Sequence, residues 1–516
     1  MKNISRVSLG QFFTPEYIAS YMISMLDKPK DSVILEPSSG NGIFLSLLQK
    51  SGYSNLYAYE IDKEVISHSF VKNSSFVSSK DESLYDVVIG NPPYVRWKNL
   101  EEFQKSELNN NILWKNHFNS LCDYFYIFIL KSVLQLKHSG ELIFICPDYW
   151  LSTKNAKTLR KFLIENGSFE KIILFNECHI FDGVLSSIMI FKYQKGVFNT
   201  SIEVRNIPSK TNVSANSDIN NLGEIYKIKH FSNDDTWVIS PENIRLALDE
   251  FEKSCADIEA NSLFSDMKYS KIEDVCDIGN GMVSGLDRAF QMRGDTYSQK
   301  EMQHSINVIK AKHLQPFLTT GSSKYKFVLD DMDSKEFESN FPNFYEEFKP
   351  YREDLLKRYN YNKPLKYWQW AFLRNFSLFN KNEKKIFVPC KERISNKTNF
   401  RFSLVEEYLY PTQDVTAIYK KNQTKESIEY ITAYLNSRAV FLWLKNKGVI
   451  KGDVVEFSEK PLASIPFRKI NWTSLKERKI HEDITQLVRK YQASKDVTLI
   501  DKINNNLEAL GIKVSL

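Results

Sequence analysis

The chain has 516 residues, of which 42% are hydrophobic and 26% charged. This composition excludes a disordered or fibrous protein and allows two or three domains. The net charge is +6, but residues 351–400 contain 12 Lys or Arg and only 4 Asp or Glu, so this block carries more than the whole positive excess. A local basic block predicts a polyanion partner.

Cysteine usage and hydropathy limit the cellular location. The six cysteines form no CxxC pair, and the eight histidines include no HExxH motif, so we expect neither a disulfide framework nor a bound metal. No apolar run is long enough to span a bilayer, and the N-terminus leads into no apolar signal segment. These features predict a cytoplasmic protein without a membrane partner.

The first predicted elements are a helix capped by Thr14 and a short buried strand over residues 32–36. A turn containing Gly40 and Gly42 follows, and then a second helix. Strand, Gly-x-Gly turn and helix are typical of the nucleoside-binding start of a doubly wound α/β fold. Glu36 ends the strand. Its carboxylate would repel a pyrophosphate, and it favours a cationic ligand such as a sulfonium with an α-amino group.

A second strand, residues 56–60, ends in Glu60 about 20 residues beyond the glycine turn. An acidic side chain at this place can accept hydrogen bonds from both hydroxyls of a ribose. The next residue, Ile61, can pack on an adenine ring. Two strand-terminal carboxylates beside one glycine turn therefore predict a nucleoside pocket rather than two unrelated surface charges.

Residues 86–90 predict a buried strand that runs into a stiff turn, Asn91-Pro92-Pro93-Tyr94. The side-chain oxygen of Asn91 and the carbonyl of Pro92 can both accept from one exocyclic amine. Accepting both protons directs the nitrogen lone pair toward an electrophile. Tyr94 offers a flat face for the base that carries the amine.

These segments, in this order, resemble the gamma-class, TaqI-like DNA N6-adenine methyltransferases. The resemblance covers residues 10–195 and implies a doubly wound, Rossmann-like S-adenosylmethionine-dependent methyltransferase domain that flips an adenine out of duplex DNA. It implies that Asn91, Pro92 and Tyr94 are catalytic and that Phe181 packs against the flipped base opposite Tyr94. The cofactor contacts that it implies are Thr14, Glu36, Ser38, Gly40, Gly42, Glu60, Ile61, Phe76, Asn91, Pro93 and Phe128.

The chain departs from the family pattern after the third strand. The family usually has an Asp before a Phe there, and the Asp binds the amine of the cofactor's adenine. Here Ser75 precedes Phe76, so either Ser75 or Asp81 from the following loop would take that role. Residues 95–120 are polar and irregular and predict a long loop at the DNA, in which Arg96 is a candidate contact.

The second half resembles the family's specificity domain, with looser motifs. A Ser/Asn-rich stretch suggests a methyltransferase domain over residues 1–245, a linker over 246–266 and an α+β DNA-specificity domain over 267–516. Residues 473–511 predict two closing helices. The basic block with its interleaved aromatic residues predicts DNA contacts at Lys357, Arg358, Lys366, Trp368, Trp370, Arg374 and Arg393.

The sequence therefore predicts a site-specific DNA adenine-N6 methyltransferase that acts as a monomer, with S-adenosylmethionine as its cofactor and double-stranded DNA as its partner. A separate restriction endonuclease is a candidate second partner, because such enzymes modify the DNA of restriction systems. Two alternatives remain open at this point. One is a methyltransferase acting on RNA or on a protein glutamine, and the other is a non-catalytic DNA-binding subunit.

Overall fold

A computed structural model describes residues 12–181, 187–231, 236–256, 269–294, 296–395 and 397–513, without the side chain of Lys451. The chain divides into two compact units, one of residues 1–245 with 450–453 and one of residues 246–449 with 454–516. Residues 246–254 of the expected linker are helical, and residues 257–268 lie outside the described part. Within the described ranges, no helix combines the length and hydropathy needed to cross a membrane.

Nine strands form one sheet in the first unit. They are β1 (Ile34–Glu36), β2 (Leu56–Glu60), β3 (Lys72–Asn73), β4 (Tyr85–Gly90), β5 (Leu136–Pro147), β6 (Gly167–Asn176), β7 (Ile188–Lys195), β8 (Ser201–Asn206) and β9 (Glu224–Lys229). Their spatial order is β3-β2-β1-β4-β5-β7-β6-β8-β9. The first five pair in parallel, and β7 lies antiparallel between β5 and β6.

Helices cover both faces of this sheet. They are α1 (Glu16–Ser24), α2 (Ile43–Lys50), α3 (Glu102–Asn110), α4 (Ile112–His117), α5 (Phe125–Leu134) and α6 (Lys157–Asn166). Alternate strand residues point to opposite faces. Ile34 and Val87 therefore pack with α1 and α2, whereas Leu35 and Val88 pack with α5 and α6. The predicted doubly wound α/β class is confirmed.

The prediction of a long loop over residues 95–120 is wrong, because most of this segment forms α3 and α4. Leu108 and Trp114 are buried, and Trp114 stacks on Trp97 with ring centroids 5.9 Å apart. The side chain of Asn111 caps α4 by accepting from the main-chain N–H of Trp114 at 3.1 Å. The segment is short and mostly polar on its exposed face, so its helical pattern was hidden in the sequence.

The second unit is α+β and contains four groups of strands among its described residues. Helix α7 (Glu242–Ser254) precedes β10 (Cys276–Asn280), β11 (Ser305–Ile309), β12 (Leu314–Gln315), β13 (Leu318–Thr319), β14 (Ser323–Lys326), β15 (Lys385–Pro389), β16 (Lys391–Arg393), β17 (Ser403–Val405), β18 (Tyr410–Pro411), β19 (Val415–Lys420) and β21 (Val454–Glu456), whereas the short strand β20 (Ile450–Lys451) belongs to the residues of the first unit. An antiparallel sheet has the order β10-β19-β15-β17, a second sheet has β14-β11-β18, and β12 pairs with β13. Strand β16 pairs with β21.

The remaining helices surround these strands. They are α8 (Ile272–Val275), α9 (Asp287–Phe290), α10 (Gln299–Gln303), α11 (Ser334–Asn340), α12 (Pro342–Phe348), α13 (Arg352–Lys357), α14 (Phe376–Phe379), α15 (Ile428–Leu435), α16 (Arg438–Lys447), α17 (Glu459–Ala463), α18 (Leu475–Ser494) and α19 (Thr498–Ala509). The last two confirm the pair of closing helices predicted over residues 473–511. The core of this unit is rich in aromatic side chains.

Candidate active site

A pocket lies in the first unit and is lined by residues from the ends of β1, β2 and β4 and the turns that follow them. The carboxyl ends of parallel strands are where open α/β sheets bind ligands. Ten of the eleven predicted cofactor contacts line it. They are Thr14, Glu36, Ser38, Gly40, Glu60, Ile61, Phe76, Asn91, Pro93 and Phe128.

The glycine turn supports the pocket in two ways. Gly40 and Gly42 have φ angles of +50° and +77°, in the left-handed region that glycine adopts without strain. The main-chain N–H of Gly40 donates to Glu60 Oε2 at 2.7 Å. Gly42 does not belong to the described lining, contrary to prediction. It faces Ser67, whose Oγ would lie 2.3 Å from a Cβ at this position, so its lack of a side chain serves chain packing.

Two buried carboxylates face the pocket. Glu36 is 1% exposed, and its Oε2 has no hydrogen-bond partner among the described residues. Burial, followed by the charge of Glu60, raises the pKa of Glu36 well above its usual range. Burial also raises the pKa of Glu60, although hydrogen bonds from the main-chain N–H groups of Asp62 and Gly40 oppose this effect. An unpartnered buried carboxylate oxygen is suited to a cationic or hydrogen-bond-donating ligand.

Another part of the pocket lining is aromatic. The rings of Phe76 and Phe128 have centroids 5.6 Å apart, and Tyr124 meets Phe128 edge-on at 5.3 Å. Tyr124 and Ser74 line the pocket but were missed by the sequence reasoning. Tyr124 lies four residues before Phe128 at the start of α5, so helical spacing from Phe128 could have identified it.

Ser75, and not Asp81, lines the pocket where the family pattern has an Asp. Asp81 Oδ2 instead accepts from the hydroxyl of Tyr59 at 2.7 Å and the hydroxyl of Tyr85 at 3.1 Å. It also forms an ion pair with Lys72 at 3.2 Å. These bonds commit the Asp81 carboxylate to three residues that do not line the pocket, which excludes the second of the two predicted alternatives in this conformation.

A buried lysine fixes the wall that carries Phe76. Lys131, on α5, donates from Nζ to the carbonyl oxygens of Phe76 and Ser79, both at 2.6 Å, and to that of Val77 at 3.3 Å. Its ammonium group also lies 4.8 Å from the Phe76 ring centroid. Asn111 Nδ2 also donates to the carbonyl of Val77, at 2.9 Å, so the segment after β3 is held through its main chain by side chains from the neighbouring helices.

The amide of Asn91 is fixed at the pocket wall. Its Nδ2 donates to the carbonyl of Phe12 at 2.8 Å and to the hydroxyl of Thr14 at 3.1 Å. With the NH2 group so occupied, Oδ1 is left as an acceptor. The hydroxyl of Tyr94 donates to this Oδ1, and it also lies 2.7 Å from the carbonyl oxygen of Ile145. Burial raises the pKa of Tyr94 well above its usual value, so the hydroxyl keeps its proton.

Three rings meet beside Asn91. Tyr94 and Phe181 have centroids 6.5 Å apart, and Phe12 lies 6.1 Å from Tyr94 and 6.2 Å from Phe181. The structure thus brings together the two residues predicted to flank a flipped base. A planar base between two rings needs about 7 Å, twice the contact distance between carbon atoms. In this arrangement Phe12 fills part of the space that a base would need.

Comparison with known proteins decides the family. A model of the Eco57I restriction-modification methylase family matches residues 41–181. The type II methyltransferase M.HindII of Haemophilus influenzae strain Rd is 62% identical over the full length of both chains, and M.HincII of Haemophilus influenzae is 59% identical over the full length of both. The chain belongs to the type II restriction-modification methyltransferase family.

The fold of this type II methyltransferase also resembles a solved structure. The type IIL restriction-modification enzyme MmeI, determined in complex with DNA, has a TM-score of 0.61 and 11% sequence identity. The match covers 96% of this chain and 72% of MmeI. It therefore extends over both units, and at this identity it concerns the fold alone.

The basic block of this methyltransferase is less exposed than its composition suggested. Trp368 and Trp370 are each 3% exposed, so the prediction that they contact DNA is wrong in this conformation. Trp368 stacks on Phe337 with centroids 4.4 Å apart, and the Trp370 indole N–H donates to the carbonyl of Lys326 at 3.0 Å. Both side chains belong to the aromatic core of the second unit.

Arg358 is also a structural residue. One Nη group donates to the carbonyl of Ser284 at 2.6 Å, and the other donates to those of Lys366, at 3.0 Å, and Gln369. Burial lowers the pKa of this guanidinium to about 10. A side chain that is committed to main-chain carbonyls cannot also bind phosphates, so the predicted DNA contact at Arg358 is wrong in this conformation.

Two further predicted DNA contacts, Lys366 and Arg374, also have partners within the second unit. Lys366 donates to Asp331 at 2.6 Å and to the carbonyl of Met332, and Arg374 donates from Nε to the carbonyl of Gly281 at 2.5 Å. The number of basic residues can be read from the sequence, but their hydrogen bonds to the loops of the unit cannot. The predicted contacts that lie exposed on the surface are Arg96, Lys357 and Arg393.

Proposed function

We propose that this chain is a site-specific DNA methyltransferase that transfers a methyl group from S-adenosylmethionine to N6 of adenine, and that it is of the gamma class. The observation that carries the proposal is the amide of Asn91. Its NH2 group is held by Phe12 and Thr14, and its oxygen is an acceptor at the wall of a pocket that contains a buried, unpartnered carboxylate oxygen. An oriented acceptor beside a site for a cation suits methylation of an amine.

The pocket fits the cofactor in charge and shape. Glu36 and Thr14 would hold the cationic methionine end, because Glu36 Oε2 is buried without a partner among the described residues. Glu60 would accept from the ribose hydroxyls, and Phe76 and Phe128 would pack on the adenine. When bound, S-adenosylmethionine supplies an electrophilic methyl group on a sulfonium.

The residues around Asn91 would orient the substrate amine. Asn91 Oδ1 and the carbonyl of Pro92 accept its two protons, which turns the nitrogen lone pair toward the pocket. The hydroxyl of Tyr94 has one proton and two acceptors within reach, Asn91 Oδ1 and the carbonyl of Ile145. It can therefore release Oδ1 to the amine and keep its bond to Ile145, so that no buried group loses its partner.

The target base would stack on Tyr94, with Phe181 on its other side, after the ring of Phe12 has moved. Flipping a base out of a duplex costs a few kcal/mol. Stacking on an aromatic side chain contributes roughly 1–3 kcal/mol per base, which offsets much of that cost. The three rings contact one another, so a flipped base that displaced Phe12 would replace one aromatic contact with another.

We further propose a division of labour between the units. The first unit would be catalytic, and residues 267–516 would recognise DNA, because the whole positive excess of the chain lies in residues 351–400. The chain would act as a monomer in the cytoplasm and as the modification enzyme of a restriction system, with a separate endonuclease as its functional partner. The names of its type II methyltransferase relatives support the role in a restriction system.

A methyl-transfer assay tests the proposal directly. Purified full-length chain would be incubated with S-adenosylmethionine carrying a labelled methyl group and with duplex DNA, and the DNA would then be digested to nucleosides. We expect the label in N6-methyl-2′-deoxyadenosine, and sequencing of modified bases should place it at one short sequence. Parallel incubations with RNA and with a protein that contains exposed glutamines would contradict the proposal if they took up label and the DNA did not. So would cofactor binding without any transfer, which would indicate a non-catalytic DNA-binding subunit.

A further inference from the structure

The second unit carries three exposed aromatic rings in mutual contact, Tyr359, Tyr361 and Phe372, which we call the aromatic patch. These residues are 67%, 37% and 39% exposed. The ring of Tyr361 stacks on Phe372 with centroids 4.8 Å apart and meets Tyr359 at 4.7 Å. Single exposed apolar residues are ordinary on a protein surface, but touching rings that remain exposed indicate an interaction site.

The loop that carries the patch is strained at its tip. Tyr361 and Asn362 have φ angles of 55° and 59°, in the left-handed region that is uncommon for a bulky side chain. Asn360 supports this turn, because its Oδ1 accepts from the N–H of Asn362 and its carbonyl accepts from the N–H of Lys363, both at 3.2 Å. Backbone strain of this kind is concentrated at functional sites and persists where the surrounding structure enforces it.

The base of the same loop is rigidly attached. Phe372 and Val283 exchange two main-chain hydrogen bonds, each of 2.9 Å. Arg358, which immediately precedes Tyr359, is anchored through its guanidinium to the carbonyl of Ser284. A Cβ at Gly285 would lie 2.7 Å from the Arg358 Cδ, so glycine is needed for this close approach. The patch is therefore held in place before any partner binds, which lowers the entropy cost of binding.

The charge around the patch has one sign. Residues 355–375 contain five Lys or Arg and no Asp or Glu. Three of these cations are bonded to the scaffold, whereas Lys357 and Lys363, on either side of the patch, are exposed; Lys357 has only a long, exposed ion pair with Glu353, at 3.8 Å. On a duplex, apolar and aromatic side chains contact base edges in the grooves or insert between base steps, and cations neutralise the phosphates on either side. Duplex DNA is the occupant that matches both.

We propose that the aromatic patch contacts the bases of duplex DNA, with Lys357 and Lys363 at the flanking phosphates. The inference rests on the proposed function, because it names residues with which the second unit holds the DNA that is to be methylated. It also replaces the buried Trp368 and Trp370 as the aromatic contacts of the basic block.

Binding of a fluorescein-labelled duplex to the full-length chain, followed by anisotropy at several salt concentrations, tests this assignment. The duplex would contain the sequence at which modified bases are found. Tyr359→Ala and Phe372→Ala should each weaken binding by about fivefold to 100-fold without changing the salt slope, because an apolar contact with a base releases no counterions. Lys363→Ala should instead reduce the slope by about 1 on cognate and scrambled duplexes alike.

Two controls accompany these variants. Tyr408→Ala removes a tyrosine of the same unit that is 47% exposed and lies outside the patch, and it should leave affinity unchanged. Thermal unfolding midpoints show whether each variant is folded. If Tyr359→Ala fails to fold, Tyr359→Leu keeps an apolar side chain without the aromatic face and should lose affinity in the same way.

The outcomes separate this inference from the proposed function. Wild-type affinity in both alanine variants, with methylation of DNA intact, would overturn the inference alone. A wild-type chain that neither binds nor methylates duplex DNA would overturn the proposed function, and the inference with it. Self-association that is abolished by Phe372→Ala while DNA affinity stays the same would show that a second copy of the chain covers the patch, which would also overturn the inference.

Discussion

The two units each bury an ionisable side chain almost completely, but the two side chains differ in their hydrogen-bond partners. In the first unit, Glu36 is 1% exposed and one carboxylate oxygen has no partner among the described residues. In the second, Lys326 is equally buried, and its Nζ donates to the carbonyls of Ala289 and Gln291 and pairs with Glu347 at 2.5 Å. A buried charge whose bonds are made within the fold stabilises that fold, whereas one left without a partner indicates a place for a ligand.

The largest effect expected from this comparison is on stability. Lys326→Met should lower the free energy of unfolding by about 3 kcal/mol, because it leaves Glu347 and two main-chain carbonyls without their cation. Chemical denaturation of the purified variant measures the change. Lys324→Met, at an exposed position two residues earlier in β14, is the matched control and should change it by less than about 0.5 kcal/mol. Equal stability of the two variants would contradict the interpretation of Lys326.

The next largest effect should appear in catalysis. Asn91→Ala removes the acceptor that would orient the substrate amine, and by comparison with other lost transition-state contacts the methylation rate should fall by roughly 10² or more. Cofactor affinity, measured by isothermal titration calorimetry, should stay within a few-fold of wild type. Near wild-type methyl transfer by this variant would remove Asn91 from the mechanism.

A smaller effect is expected at Glu36. Glu36→Gln keeps the shape of the side chain but removes the charge that would face a sulfonium, so the affinity for S-adenosylmethionine should fall by about tenfold, a difference of roughly 1.4 kcal/mol. The free energy of unfolding should not fall, because an unpartnered buried carboxylate is removed. A large loss of stability with unchanged affinity would assign Glu36 to the scaffold, like Lys326.

The smallest effect concerns pH. Burial raises the pKa of Glu36 in the folded chain, so the carboxyl group stays protonated above the range in which it ionises in the unfolded chain. Its contribution to stability therefore falls as pH rises from that range toward the raised pKa. A cationic ligand favours the ionised form, so cofactor binding should release a proton and tighten by a few-fold over the same rise in pH. Calorimetry in buffers of different ionisation enthalpy measures the released proton, and Glu36→Gln should reduce it.

The sequence predicted the pocket better than the DNA surface, for physical reasons. Glu36, Gly40 and Glu60 occupy strand ends and a tight turn, and the spacing of such elements is set by the parallel sheet itself. Trp368 and Trp370 lie in an irregular segment without a fixed periodicity, so nothing in the sequence shows that both point inward. Composition gives the sign of the charge on the basic block, but it does not show which of its lysines and arginines form hydrogen bonds within the second unit.

Two other predictions needed three-dimensional contacts. Sequence alone left both Ser75 and Asp81 as candidates to bind the amine of the cofactor's adenine. The hydroxyls of Tyr59 and Tyr85 decide between them, because they bind the Asp81 carboxylate away from the pocket. The ring of Phe12 beside Tyr94 was not predicted either, because a residue from the start of the chain reaches the turn after β4 only in the folded sheet. Roles of these residues in binding remain predictions.

The bonds of Lys131 have a consequence for how this protein can change in evolution. The ammonium group holds the pocket wall through the carbonyl oxygens of Phe76, Val77 and Ser79, and every amino acid has such an oxygen. The bonds of Lys131 therefore do not depend on which side chains stand at 77 and 79, whereas position 131 must keep a long side chain with a terminal cation. The side chains of the segment are constrained separately, because Val77 is buried in the core and the Ser79 hydroxyl donates to that of Tyr59 at 3.0 Å.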